Sequence, residues 1–265
     1  MYTVPQLAFR YLQYWLRASN GKGHGTHSPF IYAFITRVLN DKNQYGDYSR
    51  VEGLRKELCH DKRSIRVEDF GAGSVYNQAR ERKVSSIARH AAKPRKYGQL
   101  LYRIVRYYKP AVILELGTSL GITTSYLALG NPAAKLITLE GSREIAGLAR
   151  QHFSRPGLGH IELAEGNFDS LLPSLLESTA TVDLAFVDGN HRMEPTLRYF
   201  EALLPHATND SIFIFDDIHW SLEMEKAWAV IKKHPSVRCS IDLFFIGIVV
   251  FRREFLEKQT VEIRY

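Results

Sequence analysis

The stretch AVILELGTSLG, residues 111–121, constrains the fold more than any other part of this 265-residue chain. AVILEL is a nearly continuous aliphatic run, the pattern of a strand covered on both faces, and such strands belong to parallel sheets. Gly117, Thr118, Ser119, Leu120 and Gly121 follow, then ITTSYLAL as a helix, then AKLITLE, a second apolar strand ending in Glu140. Strand, loop, helix and strand form a crossover unit. The loop and the helix start face a ligand with free N–H groups. Glu140 lies 19 residues after Gly121, where such a unit sets a carboxylate against the two ribose hydroxyls of an adenosine.

VEDFGAGS, residues 67–74, is a rival glycine loop. Its context is wrong. DKRSIRVE before it alternates charged and apolar residues, which suits an edge strand and not the centre of a parallel sheet. The following VYNQARERKVSSIARHAAKP is strongly basic, and no apolar strand ending in a carboxylate comes after it. A turn between helical segments is the simpler expectation.

After Glu140, helices and strands alternate. REIAGLARQHF reads as a helix, HIELAEG (160–166) as a strand, DSLLPSLLE as a helix and VDLAFVDG (182–189) as a strand. EPTLRYFEALLP is a helix before the strand SIFIFDD (211–217); the helix SLEMEKAWAVIKK leads to SIDLFFIGIVVFRR, two strands about a turn at Gly247. The glycine spacing selects among nucleotide folds. A dinucleotide loop places its second glycine where Ser119 stands, so a pyrophosphate fits poorly. E-x-G-x-x-x-G, here Glu115, Gly117 and Gly121, instead resembles motif I of the class I S-adenosylmethionine-dependent methyltransferases. The resemblance covers roughly residues 95–254 and implies an α/β fold: a Rossmann-like, doubly wound, seven-stranded, mainly parallel sheet with an antiparallel last strand.

Two strand ends look most like the small-molecule O-methyltransferases of the catechol and caffeoyl-coenzyme A type. DLAFVDGNH ends in Asp188 with His191 three residues on, and IFIFDDIHW ends in the pair Asp216 and Asp217. The resemblance implies S-adenosyl-L-methionine as cofactor. Its binding residues would be Glu115, Gly117, Thr118, Ser119, Gly121, Glu140, Gly141, Asn167, Phe168 and Asp188, with Glu115 on the methionine amino group. It also implies a divalent cation such as Mg²⁺ on Asp188, Asp216 and Asp217, whose oxygens suit a hard ion. The sequence departs from the relatives twice: Asp217 stands where they have Asn, and His191 where they have a catalytic Lys. His191 and Asp188 are then the catalytic pair, the imidazole taking a hydroxyl proton. A helix-capping role for the Asp pair and a loop role for His191 remain open; His219 and Trp220 are weaker pocket candidates.

Residues 1–95 read as an N-terminal helical cap and 96–265 as the methyltransferase domain. PQLAFRYLQYWLRA and SPFIYAFITRVLN have apolar residues at helical spacing, and HGTHSPF between them carries His24 and His27 ahead of a capping Ser28. Such caps cover the acceptor and complete dimers in relatives, so a homodimer is one expectation. Charge is uneven: residues 1–110 hold 21 Lys/Arg against 8 Asp/Glu, the remainder 14 against 20. A basic segment of that kind attracts anions or pairs with acidic neighbours. The longest apolar run, LFFIGIVVF, is too short to cross a bilayer, so a cytoplasmic protein with no membrane partner is expected. Cys59 and Cys239 lack metal-type spacing and read as inert thiols. The expected function is O-methylation of a small-molecule acceptor. A nucleic-acid methyltransferase and a non-catalytic S-adenosylmethionine-binding protein are the alternatives, although no nucleic-acid motif accompanies the basic segment.

Overall fold

The structure, a computed structural model, describes residues 1–19, 21–23, 28–68, 80–90 and 92–265. His24, His27 and the glycines of VEDFGAGS lie outside the described residues. In chain order the elements begin with α1 (Val4–Arg17), α2 (Pro29–Ala33), α3 (Gly46–His60), β1 (Ser64–Val67), β2 (Arg80–Lys83), α4 (Val84–His90) and α5 (Arg95–Tyr108). Next come β3 (Val112–Leu116), α6 (Ile122–Gly130), β4 (Lys135–Glu140), α7 (Arg143–Phe153), β5 (Ile161–Glu165), α8 (Phe168–Glu177) and β6 (Leu184–Val187). The chain continues with α9 (Met193–Leu203), β7 (Ile212–Asp216), α10 (Leu222–Lys233), β8 (Cys239–Asp242), β9 (Ile246–Val250) and β10 (Gln259–Glu262). The fold is α/β with a mostly parallel sheet, as the alternating pattern requires.

Residues 41–171 form one compact unit and residues 1–40 with 172–265 another. In the first, β3, β4 and β5 lie side by side and all parallel, with Leu114 opposite Ile137 and Leu136 opposite Ile161. Because all three run the same way, their carboxyl ends share one edge. Ile113, Leu116, Leu136 and Leu139 are wholly buried, as the two-sided covering of a parallel sheet demands. The segment read as a helical cap also holds strands: β1 and β2 pair antiparallel, Ile65 opposite Arg82. β1 falls in DKRSIRVE, whose alternation suits an edge strand, whereas β2, RERK, is charged throughout and gives no apolar pattern to read.

In the second unit the strand order is β10, β8, β9, β7, β6. β6 and β7 are parallel, and β9 runs antiparallel to both β7 and β8. That hairpin turns at residues 243–245; Gly247, where the sequence suggests the turn, already lies inside β9 opposite Asp242. A Cβ on Gly247 would stand 2.6 Å from the Trp228 ring, so the glycine lets this indole of α10 lie flat on β9. The tail adds β10 parallel to β8, a strand beyond the seven expected. QTVE, with one aliphatic residue in four, gives no strand pattern to read. Cys239 is buried on β8 and its thiol is pushed up to about 12 by that burial, which makes it inert.

Candidate active site

Among the described residues, three of the five non-glycine positions at positive φ follow strands that carry or deliver candidate site residues; the other two are Lys109 and Phe244. Ser119, Asn190 and Asp217 are non-glycine residues at positive φ, and they follow the ends of β3, β6 and β7. Such conformations cost free energy and mark sites where the chain is held for a purpose.

In the unit of residues 41–171, the loop after β3 turns through Gly117 (φ 108°), Ser119 (φ 48°) and Gly121 (φ 80°). Gly121 is required twice over, since a Cβ there would also meet Phe153 at 2.6 Å. The loop folds back on the end of β4. Gly117 and Thr118 both donate to the Leu139 carbonyl at 3.0 Å, and the Ser119 N–H donates to Glu140 Oε2 at 2.8 Å. Glu140 Oε1 accepts from the Ser142 N–H at 2.9 Å. The carboxylate is thereby clamped between the glycine loop and the start of α7.

Glu115 sits deeper than the sequence suggests. It is fully buried; its Oε2 accepts from the hydroxyls of Thr124 at 2.5 Å and Thr138 at 2.6 Å. Its Oε1 is buried with no hydrogen-bond partner among the described residues. Burial pushes the carboxyl up to about 8, the two threonine hydroxyls oppose the shift, and the Glu140 charge adds to it. At neutral pH the group is mostly a neutral acid, and an arriving cation would turn it into a carboxylate. Thr118 is buried with its hydroxyl 2.6 Å from that of Thr138. Asn167 is exposed and its Oδ1 accepts from the Asp169 N–H at 2.9 Å, so it caps α8, while Phe168 opens that helix half-buried. Gly141 is half-buried between Glu140 and Ser142. Thr124, Thr138 and Ser142 were not foreseen. Their signal is a hydroxyl set among aliphatic residues on an otherwise apolar strand or helix start.

In the other unit, Asp188 follows β6 and Asp216 ends β7. Asp188, His191 and Asp216 each bring one ligand atom within 4.8 Å of the others. His191 Nε2 is 3.5 Å from Asp188 Oδ1, both side chains half-buried, whereas Asp216 is 1% exposed. Trp220 leans on the His191 ring, centroids 5.6 Å apart. Asp217 is not in the group: at φ 52° it turns the chain, its N–H donating to the Phe245 carbonyl at 2.7 Å. His219 serves elsewhere. Its Nε2 is 3.0 Å from Asp242 Oδ2 and its Nδ1 3.2 Å from Glu225 Oε1. Burial works against its charge, but the bonds and charges of Asp242 and then Glu225 outweigh that and raise its pKa.

Residues 114–218 match a family model described as a methyltransferase domain. This stretch is similar to a methyltransferase domain. The chain is similar to catechol O-methyltransferase B of Danio rerio, 37% identical over 95 residues, which is 34% of this chain and 36% of that protein. The catechol O-methyltransferase of Mus musculus is 30% identical over 95 residues, again 34% of this chain and 36% of the relative. The chain thus spans about a third of the length of these relatives. The fold recurs in a Bacillus cereus O-methyltransferase in complex with SAH, with a TM-score of 0.56 and 20% identity over 82% of this chain and 95% of that one. It recurs in an SAH-bound Podospora anserina methyltransferase, TM-score 0.60 and 16% identity over 95% of this chain and 98% of that one. Among the described residues, no helix is long and apolar enough to cross a membrane.

Proposed function

We propose that the protein transfers the methyl group of S-adenosylmethionine to a hydroxyl oxygen of a small acceptor. The observation that supports this most is the clamped Glu140 carboxylate, which Ser119 and Ser142 hold at the end of β4. A carboxylate held at this place of a crossover unit would accept from the ribose hydroxyls. The cofactor supplies an electrophilic methyl on a sulfonium; binding, orientation and proton handling fall to this chain. Glu115 Oε1 fits a positively charged amino group, since a buried oxygen without a partner gains most from a cation. Gly117, Thr118, Ser119 and Gly121 would pass beneath the methionine part, and Gly141, Asn167 and Phe168 would flank the adenosine.

His191 takes the acceptor's hydroxyl proton, and Asp188, 3.5 Å away, orients the ring and stabilises the imidazolium that forms. The grouping of Asp188, His191 and Asp216 favours a second reading, in which a divalent cation binds there and lowers the acceptor hydroxyl's pKa. Two carboxylate oxygens and an imidazole nitrogen suit Mn²⁺ or Zn²⁺ better than Mg²⁺, which prefers oxygen throughout. The two readings exclude each other at His191 Nε2, because a lone pair committed to a metal cannot accept a proton.

Calorimetric titration with S-adenosylhomocysteine tests the donor half. Glu140→Ala should weaken binding by roughly 10- to 100-fold, as loss of charged hydrogen bonds does; an unchanged affinity refutes the assignment. The relatives named above make a catechol the first acceptor to assay. His191→Gln should lower kcat by about 10²- to 10⁴-fold with S-adenosylhomocysteine affinity intact. Activity that survives a chelator supports the histidine base, and activity that chelation abolishes and Mn²⁺ restores supports the cation.

A further inference from the structure

α1 has more apolar surface than its fold uses. Only Tyr14 is buried on it, against Phe244 with ring centroids 5.3 Å apart, and Leu7 joins the same cluster. Its outer side is also apolar. At 3.6 residues per turn, Val4, Ala8, Phe9, Leu12, Trp15 and Leu16 fall within a sector of roughly 140°. Val4 is 84% exposed, Phe9 60%, Leu12 53%, Trp15 45% and Leu16 65%. The helix therefore presents a convex apolar strip roughly 21 Å long, much larger than scattered surface apolar residues explain.

Charge decides what covers it. The first forty residues contain Arg10, Arg17, Lys22 and Arg37 and no Asp or Glu. Arg10 is committed inward, to Glu225 at 3.2 Å. Arg17 and Lys22 are exposed near the helix's carboxyl end. Arg264 adds a third cation there, its guanidinium 4.1 Å from the Trp15 ring centroid and its Nε donating to the Trp15 carbonyl. A second copy of the chain would set this cationic rim against itself, with no acid on the helix to answer it. An apolar strip bearing Trp and Phe, edged by Arg and Lys, matches the interfacial helix of a peripheral protein.

We propose that α1 docks the protein on an anionic bilayer surface, with Phe9, Leu12, Trp15 and Leu16 entering the acyl boundary and Arg17, Lys22 and Arg264 meeting lipid phosphates. The expectation of no membrane partner rested on span length alone, and surface docking needs no span.

The test is co-sedimentation of the full chain with phosphatidylcholine vesicles, with and without phosphatidylserine, beside the double variant Leu12→Glu and Leu16→Glu. Both leucines are more than half exposed, so the variant keeps its fold and its S-adenosylhomocysteine affinity. Binding should require phosphatidylserine, weaken with added salt, and fall at least about tenfold in the variant. Tryptophan emission should shift to the blue on vesicle binding, and Trp15→Phe should remove the shift. Equal binding to neutral vesicles, equal binding by the variant, or no binding at all overturns the proposal. So does a doubled mass in solution that the variant halves, which would make the strip a self-interface.

Discussion

Replacing Glu115 with Gln tests the electrostatics of the glycine loop on stability alone, without any ligand. The wild-type carboxyl has an ordinary value of 4.5 and is pushed up to about 8 in the fold, chiefly by burial. Between those values the unfolded chain has lost the proton and the folded chain keeps it. The folded state binds more protons there, so stability falls as pH rises, at about 1.4 kcal/mol per pH unit. The contribution is complete below pH 4.5, and by pH 8 the loss reaches about 4 kcal/mol. Gln cannot titrate, yet it has nearly the shape of the protonated acid and still accepts from Thr124 and Thr138. The two proteins should therefore be within about 1 kcal/mol of each other near pH 5. The gap should then open by several kcal/mol in favour of the variant as pH approaches 8. Urea unfolding of both proteins across this range, read as the difference of their unfolding free energies, cancels every other titrating group. A difference that stays flat from about pH 5 to about pH 8 would refute the reasoning.

Thr138→Val removes one of the two hydroxyls on Glu115 Oε2, and should cost about 1–3 kcal/mol above pH 8 but clearly less near pH 5; the same urea series reads it. Gly121→Ala places a Cβ 2.6 Å from Phe153 at φ 80°, so stability should drop by about 1–3 kcal/mol, and S-adenosylhomocysteine binding should weaken with it; unchanged calorimetry would mean the loop tolerates a different turn. Gly247→Ala drives a methyl into the Trp228 ring; a lower denaturation midpoint and an altered near-ultraviolet dichroism of that tryptophan are expected, with S-adenosylhomocysteine affinity unaffected. Asp242→Asn takes the charge from a carboxylate bonded to His219, the Trp228 indole and the Phe244 N–H; a loss of about 3–5 kcal/mol is expected, and a loss under about 1 kcal/mol would show that Glu225 alone compensates His219.

What the sequence made legible follows from how each signal is written. β3 and β4 were readable because two-sided burial forces an unbroken aliphatic run, and Glu140 because a crossover unit fixes its spacing. β10 was not, since QTVE at a sheet edge needs little burial and so leaves no pattern. Asp188, His191 and Asp216 come together because β6 and β7 are parallel neighbours whose carboxyl ends meet the same edge. Asp217 could not be separated from Asp216 in advance, because a single positive φ decides which of two adjacent carboxylates joins the group. Glu115 shows the same limit in reverse: its position in the motif is plain, but its depth depends on Thr124 and Thr138, which lie on two different elements. For α1, periodicity gave the helix and stopped there. Tyr14 and Leu7 face inward while Leu12 and Leu16 face out, and both sets are apolar, so only the tertiary structure reveals that one of them is left for something else to cover. The general reason is that hydrophobic periodicity reports how many faces of an element avoid water, and it does not report whether the chain itself does the covering.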